Sequence, residues 1–128
     1  MIDVGGRIKD YEIVARLKDG GMATLFLAKR AGAAGFSRHL AVKVVHRHLA
    51  SDPEFIRMFL DEALLSARIH HPNVVHVEDL GEADGAYFLA MEYVHSCALS
   101  QLLRELARSK RRLAPALAVS IAIQIADG

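Results

Sequence analysis

A lysine in the middle of an apolar strand has the clearest chemical consequence in this sequence. Residues 40–45 read LAVKVV, and strand alternation places Lys43 on one face with Ala41 and Val45. An ammonium group is almost never fully buried without a partner, so the fold either supplies an anion or leaves Lys43 in solvent on an edge strand. Glu62 is a candidate anion because it falls on the apolar stripe of a predicted helix. That stripe contains Phe55, Phe59, Ser66 and Ile69.

Five apolar runs predict the strands that would position Lys43. Gly20 and Gly21 lie in the turn between the first two runs, where glycine has access to backbone angles closed to other residues. A second turn is predicted over 82–85. The runs are residues 11–17, 24–29, 40–45, 74–80 and 86–93.

Three helices are predicted after the third strand. The first begins at Ser51, which has capping-box spacing to Glu54, and ends at about Ile69 before a His-His-Pro sequence. The others cover residues 99–109 and 115–127. The last helix is apolar nearly all round and belongs in a larger core, so we expect the chain to stop inside a domain.

The composition excludes several classes of protein. A chain of 128 residues with 52% hydrophobic and 24% charged residues is globular. The formal net charge of +1 gives no reason to expect nucleic acid as a partner. Cys97 is the single cysteine, which suits a reducing cytoplasm. The N-terminal residues do not resemble a signal peptide, and no apolar run reaches the roughly 18 residues of a membrane span.

Three short motifs, in this order, carry a resemblance to a known family. Residues 17–25 (LKDGGMATL) resemble a glycine-rich phosphate loop, 71–75 (HPNVV) a helix-to-strand link, and 91–94 (MEYV) the hinge between two lobes. With Lys43 and Glu62 between them, the chain resembles the N-terminal lobe of bacterial eukaryotic-like Ser/Thr protein kinases. The similarity covers about Tyr11 to Gly128.

This resemblance implies an α+β fold with a five-stranded antiparallel sheet, one major helix, and two helices of an incomplete C-terminal lobe. The implied boundaries are a lead-in over 1–10, the N-terminal lobe and hinge over 11–94, and part of the C-terminal lobe over 95–128. The implied function is the ATP-binding part of a serine/threonine protein kinase.

The resemblance also implies roles for individual residues. Lys43 would contact the α- and β-phosphates of ATP and Glu62 would hold Lys43 in place, as catalytic residues. Ala41 and Leu25 would cover the adenine ring, Met91 would control the back of the pocket, and the backbone of Glu92 and Val94 would bind the adenine edge. The remaining cofactor-binding residues would be those of the loop: Leu17, Lys18, Gly20, Gly21, Met22 and Ala23.

The sequence departs from the family in ways that bear on activity. Lys18 and Ala23 replace two loop glycines, and Ser66 replaces a larger apolar residue. The His-Arg-Asp and Asp-Phe-Gly motifs do not occur. We therefore expect the Mg²⁺ ligands in a missing C-terminal part, and no phosphate transfer by this chain alone. The partners would be ATP and a protein substrate or a second kinase domain.

Two alternatives compete with the enzyme interpretation. A kinase-like scaffold, or pseudokinase, would keep the fold without transferring phosphate, and the altered loop favours it.

The histidines at 46, 48, 70 and 71 match no recognised zinc spacing, so no metal site is expected from them.

Overall fold

The chain forms two units in the computed structural model, which describes residues 2–128. The first unit contains the chain up to His70 together with Val75–Tyr93. The second contains His71–Val74 together with Val94–Gly128. The boundaries expected from the sequence, at residues 10 and 94, stay predictions.

The first unit is built on an antiparallel sheet of six strands in the order β1-β2-β3-β4-β6-β5. The antiparallel sheet expected from the sequence is present, with one strand more than expected. The hairpin between β5 and β6 turns at Asp84 and Gly85, both at positive φ, the backbone of a type I′ turn. The strands are β1 (Arg7–Ile8), β2 (Tyr11–Asp19), β3 (Ala23–Ala31), β4 (Ser37–Val45), β5 (Val77–Ala83) and β6 (Ala86–Glu92).

The additional strand β1 comes from the predicted lead-in. Ile8 pairs with Tyr11 of β2 and is fully buried, so burial of this side chain fixes the segment to the sheet. The main core lies on the same face of the sheet and contains Phe26, Val42 and Phe88. Because strand side chains alternate, Lys43 points to the opposite face.

Helix α2 (Pro53–Ala67) covers part of that opposite face. The prediction that Ser51 caps it is wrong: the Asp52 carboxylate accepts the N–H groups of Glu54 and Phe55, at 3.0 and 3.3 Å. The Ser51 hydroxyl instead donates to the carbonyl of His48. Asp52 is the better placed cap because Pro53 then occupies the first helical position.

The buried stripe of α2 also differs from the predicted one. Ile56, Phe59 and Ala63 are buried, whereas Glu62 and Ile69 are exposed. The observed stripe has the same helical spacing as the predicted one but contains no charge. This rotation of the helix therefore avoids the desolvation of a carboxylate.

The remaining helices are short or belong to the second unit. A 3₁₀ turn covers Ala33–Gly35, and α1 covers Arg47–Ala50. The second unit contains α3 (Leu99–Arg108) and α4 (Pro115–Asp127), and the Asn73 side-chain amide donates to the carbonyl of Gln124 in α4. Within residues 2–128, no helix combines the length and the apolar character needed to cross a membrane.

Candidate nucleotide site

Lys43 occupies the centre of the sheet face that α2 partly covers. It pairs in register with Leu25 of β3 and Leu89 of β6, so these three side chains share one face. Two positions along β4, Val45 packs with Ile56 of α2. Lys43 itself is half-buried.

The expected ion pair between Lys43 and Glu62 is not formed in this structure. Among residues 2–128, no carboxylate oxygen lies within 4.0 Å of the Lys43 ammonium group. Glu62 is exposed and also has no ion-pair partner in that range. The rotation of α2 that buries Ala63 accounts for this separation, because it turns Glu62 toward solvent.

A bulge in β2 brings a second lysine to the face of Lys43. The register of β2 and β3 shifts between Arg16 and Lys18, and Lys18 then pairs with Leu25. Leu17 is the extra residue of this bulge and is 42% exposed. Lys18 has no ion pair within the described residues, so two unpartnered ammonium groups flank Leu25.

The glycine turn between β2 and β3 presents free backbone donors. The N–H of Gly20 donates to the carbonyl of Ala23 at 3.0 Å, which closes the turn. In the part of the chain that the structure describes, the N–H groups of Gly21 and Met22 have no acceptor. Such groups bind anions when they converge on one position.

The two glycines matter here for space rather than for backbone angles. Neither adopts a positive φ, contrary to the sequence-based expectation. A Cβ at Gly20 would lie 3.2 Å from the Ala23 carbonyl oxygen, whereas one at Gly21 would meet nothing within 4 Å. Gly20 therefore permits the tight turn, and Gly21 leaves its N–H accessible.

The residues expected around adenine lie on two different units. Ala41 pairs with Met91 across β4 and β6, on the same face as Lys43. The N–H of Glu92 donates to the carbonyl of His76 at 2.9 Å, so the expected contact to a base would fall on the Glu92 carbonyl oxygen. Val94 is exposed and belongs to the second unit.

A polar cluster at the root of the glycine turn was not anticipated from the sequence. The Thr24 hydroxyl donates to Asp19 at 2.5 Å, and the Nε2 atom of His46 lies 3.1 Å from that hydroxyl. The bond from Thr24 lowers the pKa of the Asp19 carboxyl. The N–H of His46 also donates to the carbonyl of Met22, which holds the turn against the end of β4. No local pattern relates His46 to the turn, because only strand pairing brings them together.

This arrangement suits a phosphate group better than a metal ion. Two ammonium groups and two free N–H groups are all donors, and such groups bind the oxygens of a phosphate. Among residues 2–128, no group of three or more His, Cys, Asp or Glu side chains is arranged to bind a metal. Near Lys43 and the glycine turn, the described residues thus offer hydrogen-bond donors to an anion.

Comparison with protein families gives one match over most of the chain. Residues 11–128 match the family described as protein tyrosine and serine/threonine kinase. Among curated proteins, the chain is similar to tyrosine-protein kinase MasK of Myxococcus xanthus, with 46% identity over 105 residues. It is also similar to serine/threonine-protein kinase PrkC of Bacillus subtilis, with 38% identity over 101 residues.

The fold is similar to that of a solved bacterial kinase domain. The Mycobacterium tuberculosis PknI kinase domain superposes with a TM-score of 0.78 at 29% identity and covers 99% of the chain. The match covers 49% of that domain, 16% of MasK and 15% of PrkC, although it includes 82% and 78% of this chain. The chain therefore spans about half of a kinase domain and a small part of these curated relatives.

Proposed function

Because the chain belongs to the protein tyrosine and serine/threonine kinase family, we propose that its first unit binds ATP. In the whole protein, this unit would position ATP for transfer of its terminal phosphate to a protein side chain. Phosphoryl transfer depends mainly on positioning and on stabilising negative charge, which are tasks that a lysine and a set of backbone N–H groups perform.

The observation that best supports this proposal is that the ammonium groups beside Leu25 have no acceptor within residues 2–128. Lys43 is half-buried with no anionic partner among residues 2–128, and Lys18 shares its face. A half-buried ammonium group loses hydration without compensation unless an anion binds next to it. The triphosphate of ATP would supply that anion.

The remaining proposed contacts to ATP are those that the kinase family makes. Lys43 would bind the α- and β-phosphates, and Gly21 and Met22 would donate their N–H groups to phosphate oxygens. The adenine ring would pack on Leu25 and Ala41. Glu62 would hold Lys43 during catalysis, which requires a movement of α2 or of both side chains from the positions described above.

The substrate and the metal belong to the whole protein. We propose transfer to serine or threonine, as the names of PrkC and PknI state for those proteins, although MasK is named a tyrosine kinase. The family uses Mg²⁺ with ATP, and its ligands would come from elsewhere in the whole protein. For the 128-residue chain alone we expect no phosphate transfer, because its sequence contains neither His-Arg-Asp nor Asp-Phe-Gly. A cytoplasmic location remains an expectation from the sequence.

Calorimetric titration with ATP and MgCl₂ tests nucleotide binding directly. We expect saturable binding that Lys43→Met weakens by tenfold or more, because a charge-assisted bond to phosphate contributes about 1.5–3 kcal/mol. Lys29→Met is the matched control, since Lys29 is an exposed cation of β3 that pairs in register with His39 of β4. Equal affinities of the Lys43 and Lys29 variants, or no binding by the parent chain, would contradict the proposal.

A kinase-like scaffold is the second candidate. The observation that favours it is the separation of Lys43 and Glu62, because an active kinase needs that pair in place. A phosphorylation assay with the whole protein separates the two candidates. Incorporation of labelled phosphate that Lys43→Met abolishes would establish the enzyme. ATP binding without any transfer would establish the scaffold.

A further inference from the structure

A cavity lies mainly on the face of the sheet opposite to Lys43. Its volume is about 520 Å³, within the usual range of small-molecule sites, and all of its lining residues belong to the first unit. Phe26 and Val44 line it, and they alternate with Leu25 and Lys43 along the same strands. The sheet therefore separates most of this cavity from Lys43, and only at the end of β4 does a residue of the Lys43 face, Val45, also line it.

The cavity combines an apolar floor with a charged rim. Phe26, Val44 and Ala86 form the floor, and each is buried. Arg7 and Arg47 reach the rim from β1 and from the start of α1. Within residues 2–128, neither guanidinium group has a hydrogen bond or ion pair.

The other rim charges are largely neutralised within the protein. Arg16 binds Asp3 at 3.1 Å and Asp19 at 3.4 Å. Asp84 has no ion pair in the described part of the chain and lies at the rim with Arg7 and Arg47. Arg7 and Arg47 are therefore the guanidinium groups of this rim that are free to bind an anionic ligand.

We propose that this cavity binds a small amphipathic carboxylate. Its apolar part would lie on Phe26, Val44 and Ala86, and its carboxylate would bind both Arg7 and Arg47. Guanidinium groups bind carboxylates through paired, charge-assisted hydrogen bonds. A nucleotide triphosphate is disfavoured, because its several charges would exceed the free positive charge and meet the carboxylate of Asp84.

An occupant of this cavity would also contact the support of the glycine turn. Thr24 and His46 line the cavity, and His46 holds the carbonyl of Met22. Binding should therefore alter the amide resonances of the turn. This readout does not require ATP, so failure of nucleotide binding would leave the test of this site unaffected.

Titration of the ¹⁵N-labelled 128-residue chain with octanoate, followed by two-dimensional NMR, tests the proposal. We expect saturable shifts at Val44, Ala86 and Met22. Octanol, which has the same chain without the charge, should bind about tenfold more weakly. Arg47→Gln should reduce the octanoate affinity about tenfold, whereas Lys29→Gln, the control on an exposed cation outside the cavity, should not change it.

A cavity-filling variant provides an independent test. Ala86→Leu places extra methyl groups on the floor and should abolish the octanoate shifts, with circular dichroism confirming that the sheet persists. The proposal is overturned if octanol binds as tightly as octanoate or if Arg47→Gln has no effect. It is also overturned if the shifts fall on exposed apolar residues of α4, such as Ile123, instead of on the cavity.

Discussion

Replacing Glu62 by glutamine should leave the free energy of unfolding almost unchanged in the absence of nucleotide. The side chain is exposed and has no ion pair within residues 2–128. Substitutions at such positions usually change stability by less than about 0.5 kcal/mol. A buried ion pair with Lys43 would give a different result, because removing one partner of such a pair costs about 3–5 kcal/mol.

Replacing Lys43 by methionine should stabilise the nucleotide-free chain. Methionine retains most of the apolar stem of the side chain and removes an ammonium group that is half-buried without an anion. An unsatisfied polar group costs about 1–3 kcal/mol when fully buried, so its removal from this half-buried position should raise the free energy of unfolding by about 1 kcal/mol. For a domain of this size, that corresponds to an increase in Tm of about 4 °C.

Urea unfolding of the parent, both single variants and the double variant, followed by circular dichroism, measures these changes. The coupling energy between Lys43 and Glu62 from this double-mutant cycle should be close to zero. Destabilisation by Lys43→Met of about 3 kcal/mol, or a coupling energy above about 1 kcal/mol, would refute the reasoning. Either result would mean that the two side chains are already paired in the nucleotide-free protein.

Three further predictions concern the first unit. Asp52→Ala should lower the free energy of unfolding by about 1 kcal/mol in urea titrations, because it removes the hydrogen-bond acceptor at the start of α2. Asp52→Asn keeps a side-chain acceptor and should therefore retain most of the stability of the parent chain. Phe88→Ala should destabilise by about 3–5 kcal/mol on the same measurement, since Phe88 is 0% exposed in the main core; a loss below about 1 kcal/mol would contradict the packing described. Burial, with the hydrogen bond to Asp79, raises the pKa of Tyr11 to about 12 from 10.0, so its neutral form is favoured in the folded state. The contribution of Tyr11 to the free energy of unfolding should therefore be complete below pH 10 and decrease as the pH rises toward about 12. In alkaline unfolding curves, Tyr11→Phe should make the free energy of unfolding less dependent on pH over this range.

Much of the fold follows from patterns that the sequence displays locally. The strand that contains Lys43 and the turn predicted over 82–85 each depend on neighbouring residues alone; the structure has the strand, and it has the turn at Asp84 and Gly85, with residues 82 and 83 still in β5. The last helix has the predicted bounds, because a proline marks its start and the mostly apolar run that follows is too long for a typical strand. The order of the motifs was sufficient to identify the family.

The candidate nucleotide site depends less on local sequence patterns than the fold does. The sequence predicts which residues line it, and those assignments stay predictions until nucleotide binding is measured. The loop bulge at Leu17 was not predicted, since a register shift depends on pairing with β3. The contact between His46 and Thr24 was not predicted either, because the two residues are 22 positions apart and only strand pairing brings them together.

The sequence by itself determined that a lysine-bearing strand is followed by a long amphipathic helix in a kinase-like α+β unit. Only the tertiary structure decided which side of that helix faces the sheet. Two stripes with the same spacing were available, and the one with Ile56, Phe59 and Ala63 buries apolar surface without desolvating the carboxylate of Glu62. The difference between them depends on packing against the sheet, which no local pattern in the chain expresses.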